Sequence, residues 1–360
     1  MAKARKKKKA RIGFIGAGWW ASANHLPILA RRDDVELAAV CRLGKTELQQ
    51  VQEHFHIPYG TEDFRKMLDE VELDGVVVTT PHTVHYEPAR ACLEQGLHVM
   101  CEKPFCTRAE EARDLVRIAA EKNLHLLVPL GWNYKPFFQE AKRRVQSGVL
   151  GSIQFLTCHM ASPIRDLLTG APFPTDDVGG QASKTLFTPA ASTWADPKVA
   201  GGGYGHSQLS HSTGMLCGLT GLRAAEVYAR MAAPGSRVEL YDAIIATFEG
   251  GAIGSVSGAG TVPISQRFQV DIRIWGSDGM LLLDFEHTRM EIIRHDGKSE
   301  ALKLEVKDGD YSCEGPPNNF ADLILGKDTV NGSPGEASMR SVEILDAAYR
   351  SAVSGKPEKV

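Results

Sequence analysis

The first third of the chain alternates short apolar runs with amphipathic stretches. The runs are rich in β-branched residues, as buried strands are, and within 108–122 the residues Ala112, Leu115 and Ala119 share one helical face. The predicted strands are 11–15, 35–41, 75–79, 98–101 and 124–128, and the predicted helices are 19–31, 46–56, 62–71, 86–95 and 108–122. This alternation predicts parallel crossovers and hence a doubly wound α/β sheet of the Rossmann type.

Beyond about residue 150, strand-like runs follow one another with only turns between them. Val270, Ile272 and Ile274 alternate with Asp271 and Arg273, which is the pattern of a sheet with one buried face. The predicted strands are 150–160, 222–231, 238–249, 252–260, 266–275, 279–285, 288–294 and 301–306, and an amphipathic helix is predicted at 336–353. We therefore expect a C-terminal α+β domain with a mainly antiparallel, open sheet.

The length and composition fit two globular domains. The chain has 360 residues, of which 43% are hydrophobic and 24% charged, enough for ordinary cores. We expect a dinucleotide-binding domain at 11–130 and a substrate-binding and oligomerisation domain at 131–360. The Pro- and Gly-rich stretch 161–203 is too long for a plain connector, so it is predicted to form part of a site.

The N-terminus is strongly basic, although the net charge of the chain is −3. A block of like charge without apolar residues is typical of a disordered tail, and residues 1–10 are predicted to be one, with a nucleic-acid arm as the alternative. The rest of the chain gives no general attraction to nucleic acid. The basic block passes straight into a strand-like segment without the apolar region of a secretory signal, which favours a cytoplasmic protein.

Membrane spans, disulfides and metal sites are not expected. The longest apolar stretches fall far short of the ~18–20 residues that cross a bilayer. The seven cysteines include no CxxC pair and are odd in number, so they predict reduced thiols rather than a disulfide scaffold or a zinc ribbon.

The segment GFIGAGWWA follows the first predicted strand and begins the first helix. Gly16 permits a tight turn, Gly18 lets a pyrophosphate approach the backbone, and the small Ala21 lets the helix pack near the strand. In this strand–turn–helix context the spacing predicts dinucleotide binding, with Trp19 and Trp20 among the contacts.

The end of the second strand bears on the choice of coenzyme. NAD-binding domains commonly have an acidic residue there for the ribose hydroxyls, but this chain has Arg42, followed by Lys45 and Thr46. These residues suit a 2′-phosphate and favour NADP over NAD. The alternative is that Arg42 only stacks on the adenine.

Three further segments carry candidate chemistry. Open α/β sheets bind ligands at the carboxyl ends of their strands, where the third and fourth predicted strands are followed by Thr80, Pro81, His82, His85, Glu102 and Lys103. Later, GGGYGHSQLSHSTG precedes a helical pattern that places Ser207 and His211 four residues apart on one face.

Together the glycine turn, the TPxxxH and EKP segments, and a GGG triplet with His211 eight positions beyond it resemble the Gfo/Idh/MocA oxidoreductases over nearly the whole chain. The resemblance implies a hydride transfer between a nicotinamide and a carbinol carbon, usually of a sugar, cyclitol or related polyol, and it implies dimers or tetramers. Lys103 matches the active-site lysine of the family and His211 its proton-transferring histidine. Glu102 is expected to orient the nicotinamide ribose and to hold the lysine.

The residue types agree with that chemistry. Oxidation of a carbinol needs a base for the hydroxyl proton, which a neutral His211 supplies, and a positive group for the developing alkoxide, which Lys103 supplies. The predicted substrate contacts are Lys103, Asn133, Tyr134, Arg165, Trp194, His206, Ser207 and His211.

The chain departs from the family pattern at two positions. Many members have an aspartate where this chain has Ser207, and an acidic residue where it has Gly214. Carboxylate assistance to His211 is therefore missing. Either His206, Gln208 or Tyr204 takes over the substrate contacts and alters the sugar or glycoside specificity, which we favour, or the catalytic role has been lost.

Three functions remain at this point. The leading one is an NADP- or NAD-dependent dehydrogenase acting on a sugar, sugar derivative or glycoside. The second is a lyase or glycosidase that oxidises a ring hydroxyl transiently with bound NAD. The third is a non-catalytic regulator that senses a sugar or a dinucleotide.

Overall fold

The structure, a computed structural model, describes residues 9–173 and 185–360, and its first half holds a parallel sheet. The strands are β1 (Ala10–Ile15), β2 (Val35–Cys41), β3 (Tyr59–Thr61), β4 (Gly75–Val78), β5 (His98–Cys101) and β6 (Leu126–Leu127). The helices are α1 (Leu26–Ala30), α2 (Lys45–Phe55), α3 (Phe64–Glu70), α4 (Tyr86–Glu94) and α5 (Ala109–Glu121). The order β3-β2-β1-β4-β5-β6 confirms the doubly wound prediction and places its switch point between β1 and β4.

The second half forms a larger sheet. Its strands are β7 (Ile153–Ala161), β8 (Ala224–Ala232), β9 (Tyr241–Phe248), β10 (Ile253–Ala259), β11 (Gln269–Gly276), β12 (Gly279–Asp284), β13 (Arg289–Arg294), β14 (Glu300–Ala301) and β15 (Glu358–Lys359). The order is β14-β13-β12-β11-β7-β10-β9-β8-β15. Among the described strands of this sheet, only β7 and β10 pair in parallel. The predicted open, mainly antiparallel sheet is therefore confirmed.

The second half also contains helices, three of which cover one face of this sheet. They are α6 (Pro136–Gln146), α7 (Arg165–Thr169), α8 (Ala191–Ala195), α9 (Pro197–Ala200), α10 (Ser210–Thr220), α11 (Gly315–Ile324) and α12 (Gly335–Ser354). Of these, α6, α10 and α12 pack on the sheet, and Val270, Ile272 and Ile274 of β11 are buried as their alternation predicts. No helix in the described part of the chain is long and apolar enough to cross a membrane.

Helix α11 lies against the first sheet, although it belongs to the second half of the chain. Phe320 and Leu323 are buried in one cluster with Ile12 and Phe14 of β1. The C-terminal segment therefore joins the two sheets, and the core around β1 is completed from beyond residue 130.

Some local predictions were wrong. The predicted strand 301–306 is reduced to the two residues of β14, because Leu302 and Val306 are 40% and 66% exposed and the chain turns into a short 3₁₀ helix, Val306–Gly309. The predicted helix 19–31 is confirmed over residues 19–30, although its middle, Ala21–His25, is a π-helical turn that leads into α1. The predicted tail lies largely outside the described residues.

Candidate active site

A glycine with a left-handed backbone forms the turn after β1. Gly16 has φ +85°, and a Cβ atom there would lie 2.7 Å from backbone atoms of Thr79 and Thr80. The Thr79 hydroxyl donates to the Gly16 carbonyl and ties the turn to the end of β4. Only glycine fits both this backbone and this close approach. The turn thus presents free backbone at the switch point of the sheet, where pyrophosphates bind.

The turn borders a cleft of about 630 Å³ at the carboxyl edge of the parallel sheet. The predicted residues that line it are Gly16, Gly18, Trp19, Trp20, Arg42, Thr80, Pro81, His82, His85, Glu102, Lys103 and Trp194. Ala21 does not line the cleft but is buried at the start of the π-helical turn. The size of the cleft and its Cβ-free glycine turn fit a nicotinamide dinucleotide, which these residues would hold.

Arg42 follows β2 and faces the glycine turn. Its Nη1 donates to the Ala17 carbonyl at 2.7 Å, and its guanidinium lies 4.2 Å from the centroid of the Phe187 ring. Its Nε is buried without a hydrogen-bond partner among the described residues. Burial lowers the pKa of Arg42, and the charge of Glu47 opposes this effect. The guanidinium therefore keeps a spare donor beside the cleft.

Glu102 and Lys103 follow β5, and both are only 7% exposed. Glu102 Oε1 accepts from Trp20 Nε1 at 2.8 Å and lies 2.6 Å from His25 Nε2, while Oε2 accepts from the Lys103 amide at 2.9 Å. Lys103 Nζ donates to the Ser207 carbonyl at 2.8 Å. Burial lowers the pKa of Lys103, and the charge of Glu102 opposes this effect.

Aromatic rings flank the Lys103 ammonium group. Its Nζ lies 6.0 Å from the Trp20 ring centroid and 5.9 Å from that of Trp194. Trp194 also packs edge-on against His82 and Trp19, at centroid distances of 5.3 and 6.5 Å. The short helix α8 carries Trp194, so the long segment 161–203 contributes to the site, as predicted from its length.

The histidines that follow β4 tie backbone segments together. His82 Nδ1 lies 3.0 Å from the Ala200 carbonyl oxygen, and the two ring nitrogens of His85 lie 2.8 Å and 2.7 Å from those of Pro104 and Thr80. Both rings are buried. They therefore fix the shape of the cleft wall in addition to lining it.

A buried carboxylate holds the segment that faces Lys103. Glu239 accepts from the amides of Gly203 and Gly205 at 2.7 and 3.0 Å, and from the Tyr349 hydroxyl at 2.5 Å. A π-helical turn, Gly205–Leu209, follows and leads into α10. Ser207 therefore lies in this turn and not in the regular helical register that we predicted. Its carbonyl contacts Lys103, and its hydroxyl has no partner among the described residues.

His211 lies in the first turn of α10 and is buried. Its ring packs edge-on against Trp132 and Tyr311, at centroid distances of 5.7 and 5.5 Å, and its Nδ1 has no hydrogen-bond partner among the described residues. Burial, and then the charge of Lys103, lower the pKa of His211 well below its usual value. A neutral imidazole at pH 7 is able to accept a proton.

Of the predicted substrate contacts, only Lys103 and Trp194 line the cleft, and Ser207 and His211 do not. Tyr134 and Arg165 lie away from the site. The Tyr134 hydroxyl donates to Asn319 Oδ1 at 3.0 Å, because the 3₁₀ turn Gly131–Tyr134 directs the ring toward α11. Arg165 is exposed on α7. In this structure Tyr134 therefore packs between elements, and Arg165 faces solvent.

Two other predicted contacts are buried beside the site. Asn133 Nδ2 donates to Ser333 Oγ at 3.2 Å, while its Oδ1 has no partner among the described residues. The ring centroids of His206 and Tyr349 lie 4.3 Å apart. Neither side chain lines the coenzyme cleft.

Three residues at the site were not predicted: the buried His25 and Glu239 and the partly buried Tyr311. Glu239 could have been found, because an acidic residue within the apolar run 238–249 requires a partner if that run is buried. His25 and Tyr311 carry no such signal, because their partners are distant in the sequence. No group of three His, Cys, Asp or Glu residues in the described part of the chain could hold a metal ion.

The parallel sheet, its glycine-lined cleft and the second, open sheet place the protein among the two-domain oxidoreductases with an NAD-binding Rossmann fold. Family models agree over most of the sequence. Residues 10–129 match the model of an oxidoreductase family with an NAD-binding Rossmann fold, and residues 138–282 match the GFO/IDH/MocA C-terminal domain. The chain belongs to the Gfo/Idh/MocA family, as the sequence motifs indicated.

Named relatives share part of the chain. A D-glucoside 3-dehydrogenase of Escherichia coli is 33% identical over 44% of this chain and 45% of its own length. A scyllo-inositol 2-dehydrogenase (NADP(+)) of Bacillus subtilis is 29% identical over 41% of each chain. These alignments span less than half the length of either relative. A levoglucosan dehydrogenase solved with NADH covers 98% of this chain and 99% of its own, with TM-score 0.74 and 18% identity, and so shares the fold.

The glycine turn gives a test of the coenzyme site. Gly16→Ala and Gly96→Ala both place a side chain at positive φ, which costs about 1–2 kcal/mol. The new Cβ atom would clash with backbone atoms at position 16, whereas nothing lies within 4 Å of it at position 96. We expect Gly16→Ala to weaken coenzyme binding roughly 10-fold or more and Gly96→Ala to leave it unchanged. Fluorescence titration with NADH and NADPH measures both. Equal affinities in the two variants would contradict the assignment of the turn.

Proposed function

We propose that this protein is an NAD(P)-dependent dehydrogenase that acts on a hydroxyl-bearing carbon of a sugar, sugar derivative or glycoside. The observation that carries the proposal is the Lys103 ammonium group, which is buried in the cleft and whose charge acts on the buried His211 imidazole. The names of the relatives, which refer to a glucoside, an inositol and levoglucosan, support a carbohydrate substrate.

The two side chains divide the chemistry of the proposed reaction. The coenzyme, when bound, supplies the hydride acceptor. His211 accepts the proton of the substrate hydroxyl, and Lys103 stabilises the negative charge that develops on the same oxygen. Because Lys103 is buried, its charge acts at low dielectric and is not screened by water. Trp194 and the Ser207 segment border Lys103 and would contact the substrate.

NADP is the proposed coenzyme, with NAD as the alternative. Arg42 lines the cleft beside the glycine turn, and its guanidinium charge supports binding of a 2′-phosphate. The contact of Arg42 with Phe187 supports the alternative, in which the guanidinium stacks on the adenine. The relatives include one named for NADP and one solved with NADH.

A homo-oligomer, a dimer or tetramer, is proposed to form through the uncovered face of the second sheet. Phe155 and Ile253 are paired on β7 and β10 and are 38% and 51% exposed. Trp275 packs against Phe155, and Ile245 on β9 is 59% exposed. A contiguous apolar patch of this kind is typical of a protein interface. The free, buried cysteines support the cytoplasm as the compartment.

Assays of purified protein with a panel of sugars and glycosides test the reaction. Net formation of NAD(P)H supports the dehydrogenase, product without net reduction indicates the redox-assisted lyase, and binding alone indicates the sensor. In the first case Lys103→Met and His211→Asn should each lower turnover by a factor on the order of 10²–10⁴, because they remove the charge and the proton acceptor. Lys122→Met, an exposed lysine, is the control. Near-normal turnover of His211→Asn would disprove its role as the base.

The coenzyme preference is tested at Arg42. We expect the wild-type protein to bind NADP more tightly than NAD and Arg42→Asp to reverse the order, because charge-assisted contacts contribute roughly 1.5–3 kcal/mol, or ~10–150-fold in affinity. Calorimetry at one fixed salt concentration measures both coenzymes, with the exposed Lys66→Asp as the control for a general change of charge. Tighter NAD binding by the wild-type protein would assign Arg42 to the adenine.

The oligomer is tested by sedimentation. We expect Ile253→Asp to lower the mass of the assembly, because a buried unpaired carboxylate at the interface is costly. Val330→Asp, at a position 81% exposed outside the sheet, should leave the mass unchanged. A wild-type protein that sediments as a monomer would refute the proposed interface.

A further inference from the structure

His25 lies behind the catalytic lysine and is not explained by coenzyme binding. It ends the π-helical turn Ala21–His25, is 1% exposed, and does not line the cleft. Its closest polar neighbour is Glu102, with 2.6 Å between His25 Nε2 and Glu102 Oε1. Any effect of His25 on the reaction must therefore pass through this carboxylate.

The hydrogen bonds around Glu102 indicate which partner donates in its contact with His25. The carboxylate also accepts N–H groups from the Trp20 indole and the Lys103 backbone. Burial raises the pKa of Glu102, but the contact with His25 and the charge of Lys103 outweigh it, so the pKa is lowered. An ionised carboxylate only accepts hydrogen bonds, so Nε2 of His25 carries the hydrogen and donates it.

The negative charge of Glu102 acts on Lys103. The lysine is buried, and the Ser207 carbonyl is its only hydrogen-bond acceptor among the described residues. Burial favours the neutral amine, and the charge of Glu102 opposes it. The titratable groups that interact with Lys103 or Glu102 are His25, His82, His85, Cys101, His211, Tyr311 and Cys313. Glu102 is the only carboxylate among the groups that act on Lys103 in the described structure.

We infer that His25 is a positioning residue that donates to Glu102, fixes it as an anion and so keeps the Lys103 ammonium group charged in a buried site. The kinetic consequence rests on the proposed dehydrogenase function, but the charge of Lys103 does not depend on it. The inference assigns no contact between His25 and coenzyme or substrate.

The test compares two substitutions of similar size. His25→Met removes the donor, and His25→Gln keeps an N–H group near the position of Nε2. The readout is competitive labelling of the coenzyme-free protein with acetic anhydride over a range of pH, with mass spectrometry of the peptide that contains Lys103. Only the uncharged amine reacts, so the pH midpoint of labelling reports the protonation of Lys103 without any substrate.

We expect His25→Met to lower the labelling midpoint of Lys103 by about one pH unit, because a less stable anion supports the ammonium group less. His25→Gln should restore the wild-type midpoint. The control is His98→Gln, which replaces a histidine at the opposite end of β5 and should change nothing. In the dehydrogenase assay, the alkaline limb of kcat should move in the same direction for His25→Met.

An unchanged midpoint in His25→Met, or equal shifts in the Met and Gln variants, overturns the inference. If thermal unfolding shows that His25→Met does not fold, His25→Asn, whose shorter side chain does not reach Glu102, is measured in its place and must lower the midpoint. An unchanged midpoint in His25→Asn then overturns the inference. Because labelling needs no turnover, its result stands even if the proposed dehydrogenase activity is not found.

Discussion

The site depends on keeping the charges of Glu102 and Lys103 buried at the end of β5. A buried ion loses several kcal/mol of hydration unless protein groups replace the water. The segment after β1 supplies Trp20 and His25 to the carboxylate, and the turn before α10 supplies the Ser207 carbonyl to the ammonium group. Elements from both halves of the chain are therefore joined through one pair of charges, which links the cleft to the turn before α10.

Both segments that deliver these partners contain a π-helical turn, Ala21–His25 and Gly205–Leu209. Such a turn adds one residue to a helical repeat and changes which groups face inward, and it is frequent at functional sites. In the second segment, Glu239 fixes the preceding backbone by accepting two amides, so the Ser207 carbonyl is aimed at Lys103. The geometry of the site thus comes from backbone as much as from side chains.

The sequence predicted the features that periodicity and turn chemistry encode. The alternation of buried strands and helices predicted the parallel sheet. Gly16 indicated its turn, because only glycine suits the left-handed backbone and the close approach at that position. The role of His25 could not be predicted, since its partner lies 77 residues away and no local pattern links them. The orientation of the Tyr134 ring could not be predicted either, because contacts with α11 determine it.

The absence of a carboxylate beside His211 follows from packing as well as from sequence. A Cβ atom at Gly214 would lie 2.6 Å from Leu130 Cδ1, so an acidic side chain there would have to displace that leucine. With His211 as the base of the proposed reaction, burial and Lys103 both disfavour its charged form. Oxidation of a hydroxyl uses the neutral imidazole as the proton acceptor, and a carboxylate at position 207 would instead favour its charged form.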